Sequence, residues 1–432
     1  MSSDKHPATT STIISDPLAE SDPVGQRLRQ QRLLFTGIAC VSYSGFALTA
    51  NGWGPLLAPL ATTFSFSLEQ IGLLFVIWLI GYLPGTLLGG SLLDLLGPRL
   101  VFLAAFLCLV GGMGGIVLAA TIHLSWLFGL AVGAGIAGAG GGTIDAAANG
   151  LMSSLYPQKR GTALNLFTAL YPLSALVISF VDGGFLLLFR NDPRPSLLFA
   201  LGLCLLALAL AFWLPAPLHH KRSAIQRLDR AWWEPLLAQG KSVVSLLLPV
   251  VIAIVLTTGF TATIRTWTPA YLHLTYGQAP AVAALLSGLM NGLVLVFRLG
   301  VSLLVDRIGT RSTILLGLCV TIIGLLGTVS SRANAVMGTV ALTITAIGLT
   351  PLVATFMALG NERAAGQFSG SVTGLVLCVA GISNVLWSWL FGVVLTRAGS
   401  SWAMLGCLLP LLCGALLVWR LRNEHEGPLP SS

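Results

Sequence analysis

Runs of about 20 or more apolar residues follow one another along almost the whole chain, each long enough to cross a hydrocarbon core of roughly 30 Å as a helix. A segment in lipid must satisfy its own backbone hydrogen bonds, which restricts it to helices or a closed barrel. A barrel would show short alternating strands, and the sequence has none. Charged residues make up 9% of the 432 positions and hydrophobic ones 55%, against roughly 25% charged in a soluble domain. The expected fold class is therefore an all-α integral membrane protein. The runs predict twelve transmembrane helices at 33–60, 70–93, 98–120, 125–153, 161–182 and 195–214, then 244–272, 279–304, 312–330, 335–359, 366–394 and 402–420.

The polar breaks divide these helices six and six. Residues 1–26, rich in Ser, Thr, Asp and Pro, read as a disordered tail rather than a signal or transit peptide. The expected domains are a six-helix bundle over 27–214, a linker loop over 215–243, a second six-helix bundle over 244–422 and a tail over 423–432. An internal repeat supports the division. Gly90 to Arg99 reads GSLLDLLGPR, and half a chain length downstream Ser302 to Arg311 reads SLLVDRIGTR. Each copy sets an acid, then a glycine three residues on, then an arginine two further on, between two apolar runs. A repeat at that period points to two equivalent halves that meet around a shared site.

Most of the 23 Lys and Arg residues fall in the tails and in the loops that follow even-numbered helices; the other loops hold only Arg190, Arg194, Arg332 and Arg397. The positive-inside rule then predicts a multi-pass protein of the cell (inner) membrane with both termini cytoplasmic. Asp94 and Asp306 are thereby placed at the cytoplasmic ends of helices 2 and 8, and Asp182 and Asp192 at or beyond the outer end of helix 5, in contact with water.

The net charge of +8 does not predict a nucleic-acid partner, because the basic residues form no stripe with stacking aromatics. All seven cysteines lie in apolar segments without CxxC spacing, which reads as small buried hydrophobes, and no metal or other cofactor is expected. Gly133, Gly135 and Gly138 match a dinucleotide fingerprint on paper, but that motif needs a preceding strand, and here it lies within an apolar span. These glycines, with Gly142, are expected to let helix 4 approach its neighbours closely. An enzyme would need an acid and base pair or a His/Asp cluster at one membrane face, and a pump would need a phosphate-binding loop; neither is visible.

The two loops resemble the G-x-L-x-D-R-x-G-x-R signature of the major facilitator superfamily, matched by Gly90, Leu92, Asp94, Gly97 and Arg99, and again by Asp306, Arg307, Gly309 and Arg311. Leu95 and Ser302 depart from it. The resemblance implies two bundles that alternately open a midplane site, a small-molecule substrate, and a gating role for these loop residues and for Arg298, eight residues before Asp306. Asp145-Ala146-Ala147-Ala148-Asn149 and Leu164-Asn165-Leu166 are similar to stretches of the fucose-type sugar–proton symporters, as is Thr266 to Leu272. Those symporters have an acid in helix 1 where this chain has Asn51 and Trp53.

Asp145 lies well inside helix 4, where a carboxylate costs roughly 2.5–3.5 kcal/mol unless it faces a cavity or a partner, and Asn149 shares its face one turn on. Asp145 is expected to titrate or to hydrogen-bond a polyol; the plainer alternative is a structural carboxylate satisfied by neighbouring helices. Arg265, two residues before Trp267, faces either the cavity or the outer interface, where its long stem would let it snorkel. Tyr43, Asn51, Trp53, Asn165, Tyr171, Asn291, Asn384 and Trp387 complete the candidates. Amides and aromatics with few charges favour a small polar, sugar-like solute, with protons as candidate co-substrate and the lipid bilayer as surroundings. An exporter or uniporter of an organic anion or drug-like compound, or a transport-dead receptor on the same scaffold, is the alternative. A monomer is expected.

Overall fold

The computed structural model describes residues 23–122, 127–156, 160–212, 240–363 and 369–421. Most of the expected tail 1–26, the whole of the expected tail 423–432 and most of the expected linker 215–243 lie outside the described residues. Among the described residues there are twelve helical rods, and we number them α1 to α12. They comprise α1 (Pro23–Asn51 continued by Trp53–Phe64), α2 (68–96), α3 (98–122), α4 (Val132–Leu155), α5 (Arg160–Thr168 and Leu170–Leu188) and α6 (Arg194–Phe212). The second half holds α7 (Gly240–Thr257 and Gly259–Tyr276), α8 (Pro280–Ile308), α9 (Thr310–Ser330), α10 (Ala335–Leu349 and Leu352–Arg363), α11 (Ser369–Ala398) and α12 (Ser400–Arg420).

Among the described residues, eleven stretches are long and apolar enough to cross a bilayer. The remaining rod, α4, is built largely of Gly and Ala around Asp145 and Asn149, which lowers its hydropathy without shortening it. Elsewhere large apolar side chains stand open, among them Leu188 at 77% and Leu409 at 70%, which is the surface a chain presents when its solvent is hydrocarbon.

Two cores form, one per half. Phe46, Phe102, Phe106 and Ile144 centre the first, and Phe260, Trp267, Tyr271, Phe356 and Leu411 the second. They interlock through a few residues: Ala281 and Ala284 of α8 pack into the first core, and Leu57 and Ile71 of α1 and α2 into the second.

Glycines set how closely α2 and α4 pack. A Cβ at Gly138 would meet the Trp78 carbonyl oxygen at 2.1 Å, and one at Gly142 the Tyr82 carbonyl oxygen at 2.2 Å. No side chain fits at either position, as the small-residue reading of α4 expects. Gly138→Val should force the helices apart and cost about 1–3 kcal/mol, read as a lower thermal midpoint of the purified protein; an unchanged midpoint would contradict this packing.

The repeated loops adopt one geometry. Gly97 (φ 77°, ψ 165°) and Gly309 (φ 81°, ψ 158°) both hold a backbone conformation that side chains resist. The arginines two residues on do equivalent work. Arg99 Nη2 donates to the Phe212 carbonyl at 3.2 Å, at the C-terminus of α6. Arg311 donates to the Val418 carbonyl through Nε at 3.3 Å and to the Trp419 carbonyl through Nη2, near the C-terminus of α12. In each half the guanidinium satisfies helix-end carbonyls, where a cation is also favoured by the helix dipole. These bonds tie the third rod to the sixth within each half. Gly90 sits inside α2 with open space around it. The side chains of Asp94, Asp306 and Arg307 lie outside the described residues.

Candidate functional site

Between the halves lies a cavity of about 260 Å³ whose walls come from α1, α2, α4 and α5 on one side and from α7 and α11 on the other. Five candidates from the sequence line it: Trp53, Asp145, Tyr171, Arg265 and Asn384. The open question over Arg265 is resolved toward the cavity.

Asp145 is not alone there. Tyr82 of α2 donates its hydroxyl to Asp145 Oδ2, and Asn149 Nδ2 donates to Asp145 Oδ1 at 2.8 Å and to its carbonyl oxygen at 2.9 Å. Asn149 thus fixes the carboxylate from the turn below and does not itself line the cavity. Around this pair stand aromatic rings: Trp78 stacks on Tyr82 with centroids 4.6 Å apart, and Phe46 lies 6.4 Å from the same ring. Across the cavity the Arg265 guanidinium sits 5.2 Å over the Tyr171 ring, a cation–π arrangement. Its Nε donates to the Thr261 carbonyl at 3.3 Å, and no carboxylate pairs with it among the described residues. Asn384 Oδ1 is buried without a partner among the described residues.

The other candidates have different places. Trp387 anchors α11 to the break in α7. That helix restarts at Gly259, so the Val255 carbonyl is left free and accepts from Trp387 Nε1 at 2.6 Å and from Ser383 Oγ at 2.8 Å. Gly259 permits this, since a Cβ there would meet Trp387 Cδ1 at 2.3 Å. Trp267 is buried in the second core against Phe391 and Phe75. Asn291 is buried in α8 and donates to the Ser287 carbonyl, its Oδ1 unpartnered. Asn51 donates to the Ala47 carbonyl at the end of the first segment of α1. Tyr43 packs on Phe167 with centroids 4.5 Å apart. The side chain of Asn165 lies outside the described residues. Arg298 reaches between halves, Nη2 to Thr168 Oγ1 at 3.4 Å.

Tyr82, Trp78, Phe46, Phe75 and Ser388 line the cavity and were not among the candidates. Apart from its hydroxyl, Tyr82 looks like core in sequence; its position fourteen residues after Leu68, on the face of α2 that meets α4, shows only in three dimensions.

One end of the cavity is shut. We call it the far end, because it lies opposite the end at which α1 begins and α12 finishes. There a Cβ at Gly54 would stand 3.1 Å from the Thr266 carbonyl oxygen, one at Gly183 2.9 Å from Leu285, and one at Gly392 3.2 Å from the Leu68 carbonyl oxygen. Glu69 and Arg397 add an ion pair at 3.0 Å, exposed and so a minor contributor.

The model of the Major Facilitator Superfamily matches residues 37–388. The chain belongs to that superfamily. It is a multi-pass membrane transporter, not an enzyme, and works by alternating access. Solved structures agree in fold at low identity. The xylose transporter XylE from E. coli, in a partially occluded inward-open conformation, aligns with a TM-score of 0.71 at 15% identity, covering 92% of this chain and 99% of that one. The nucleoside transporter NupG aligns at 0.64 and 15%, covering 90% and 97%. The E. coli fucose–proton symporter FucP aligns at 0.60 and 18%, covering 90% and 98%. No curated protein matches the sequence.

Proposed function

We propose that this transporter carries a small, ring-shaped polar solute, sugar-like, together with protons, and that the central cavity is where it binds. The observation that carries this reading is the meeting of Asp145 and Tyr82 from one half with Arg265 and Asn384 from the other, inside an aromatic-walled space. A volume of about 260 Å³ is just below the roughly 300–1,000 Å³ of drug-sized sites, which suits a monosaccharide or nucleoside. Aromatic faces take the C–H surfaces of such a ring, and the few polar groups fix its hydroxyls. The bundles 27–214 and 244–422 rock about this site as a monomer, with Asp145 exchanging the proton. Both termini are cytoplasmic in this reading, so the shut far end faces outward and the protein is inward-facing. The gating role of Asp94, Asp306 and Arg307 belongs to the same proposal.

A second reading has one specific observation behind it. Arg265 is a cavity cation without a carboxylate partner among the described residues, which suits an organic anion. A thermal-shift screen of the purified protein against pentoses, hexoses, nucleosides and organic anions separates the two. A true ligand at about 100 times its Kd adds about 2.7 kcal/mol of apparent stability. Stabilisation by sugars or nucleosides is the expected result; stabilisation by anions alone would replace it with the second reading.

A further inference from the structure

A second carboxylate is buried outside the cavity. Asp182 was expected at the water-exposed end of α5, near residue 182, but α5 continues to Leu188 and leaves Asp182 only 1% exposed. Among the described residues its Oδ2 has no hydrogen-bond partner. From α6 the buried Ser196 hydroxyl faces the carboxyl as its one side-chain hydrogen-bonding neighbour, a loose contact outside full hydrogen-bond geometry.

What Asp182 touches gives it significance. A Cβ on Gly52 would stand 3.5 Å from Asp182 Oδ2, and Gly52 is the residue at which α1 breaks. The segment beyond that break, Trp53–Phe64, packs on α7 of the other half at Gly54 and presents Trp53 to the cavity. The neighbour of Asp182, Gly183, is pressed against Leu285 of α8. The carboxylate therefore sits behind the shut far end, at the pivot of the segment that must move for it to open.

We propose that Asp182 is a second proton site, one that sets the position of the far gate and does not touch the solute. An ionised carboxylate cut off from water, with one loose hydroxyl contact and no cationic partner among the described residues, is far costlier to bury than the neutral acid, so closing the gate takes up a proton at Asp182 and opening it to water releases one. The charged groups around it do not supply a substitute. Neither segment of α1 presents a titratable side chain at Gly52, and α8 offers Ala281 and Leu285. From the α5–α6 turn, Asp192 Oδ1 is engaged by the Arg194 backbone N–H at 2.9 Å, Arg190 is exposed, and Arg194 Nε is buried without a partner. A metal ion is disfavoured because no cluster of three His, Cys, Asp or Glu occurs among the described residues. The proposal rests on alternating access but not on the identity of the solute or on Asp145.

The test is the gate distance measured between spin labels at Thr63→Cys and Ala333→Cys, both exposed at the far end of opposite halves, in full-length, otherwise cysteine-free protein in liposomes. Between about pH 5.5 and about pH 8.5 the open-gate population of otherwise wild-type protein should rise about threefold or more. In an Asp145→Asn background, which removes the cavity carboxylate and should keep the response, Asp182→Asn should hold the gate closed at both and Asp182→Glu should still respond. A gate indifferent to pH in the otherwise wild-type protein overturns the proposal whether or not Asp182→Asn folds. So does a response that survives Asp182→Asn in that background, or one that sodium reproduces at fixed pH. Counterflow of a ligand from the thermal-shift screen, measured in parallel, reports separately on the transport reading.

Discussion

Asp145→Asn is expected to abolish uphill accumulation while leaving counterflow intact. A membrane potential is worth about 2.3 kcal/mol per charge per 100 mV, so one co-transported proton supports roughly 50-fold accumulation at that potential. Asparagine keeps the size of aspartate and can still accept from Tyr82 and face Asn149, yet it cannot exchange a proton. Accumulation in proteoliposomes should fall to about onefold, whereas exchange of labelled for unlabelled solute, which moves no net proton, should continue. Persistent proton-driven accumulation would remove Asp145 from the coupling step. Tyr82→Phe serves as the companion variant: it strips one donor from the carboxylate, and a shifted pH profile with accumulation retained would mark Tyr82 as a positioning residue.

The two carboxylates are separable by design. Asp145 faces the cavity with two donors in place, while Asp182 lies behind the gate with Oδ2 bare. Asp145→Asn should leave the far gate responsive to pH, and adding Asp182→Asn to it should remove that response. Their different surroundings also explain what was legible in the sequence. A charge deep in an apolar run is conspicuous because bilayer insertion penalises it, which is why Asp145 and Arg265 stood out. Asp182 did not, because it falls near the predicted end of its helix, and six further residues of α5, ending in Leu186-Leu187-Leu188, carry it inside.

The twelve rods were legible for the same reason the charges were: hydropathy acts over whole segments, so it survives errors at helix ends. The repeated loops were legible through glycine, and their shared positive φ at Gly97 and Gly309 shows what the spacing encodes. The arginines' task was not, since the carbonyls at Phe212 and Val418 that they satisfy lie over a hundred residues away. The cavity's aromatic wall was also hidden. Phe46, Trp78 and Phe75 have the composition of core, and only the packing of α1 and α2 against the second half turns them inward. Trp267 and Trp387 went the opposite way, into the second core and onto the α7 break.

Arg265→Gln is the variant expected to have the largest effect on affinity, and its size identifies the solute's charge. The guanidinium lies over Tyr171, tethered through Nε to the Thr261 carbonyl, so its remaining N–H groups are free to meet a solute from the C-terminal half. A hydrogen bond to a charged group contributes about 1.5–3 kcal/mol, and a neutral one about 0.5–1.5 kcal/mol. Loss of a carboxylate contact would therefore weaken Kd roughly 10- to 150-fold, and loss of a hydroxyl contact roughly 2- to 10-fold. For a sugar-like solute the smaller range is expected, because glutamine retains a donor for the hydroxyl. Titration calorimetry with the ligand from the thermal-shift screen reads the difference directly. An unchanged Kd would show that Arg265 stabilises Tyr171 and the cavity wall instead of the solute, and would leave Asp145, Tyr82 and Asn384 to hold it.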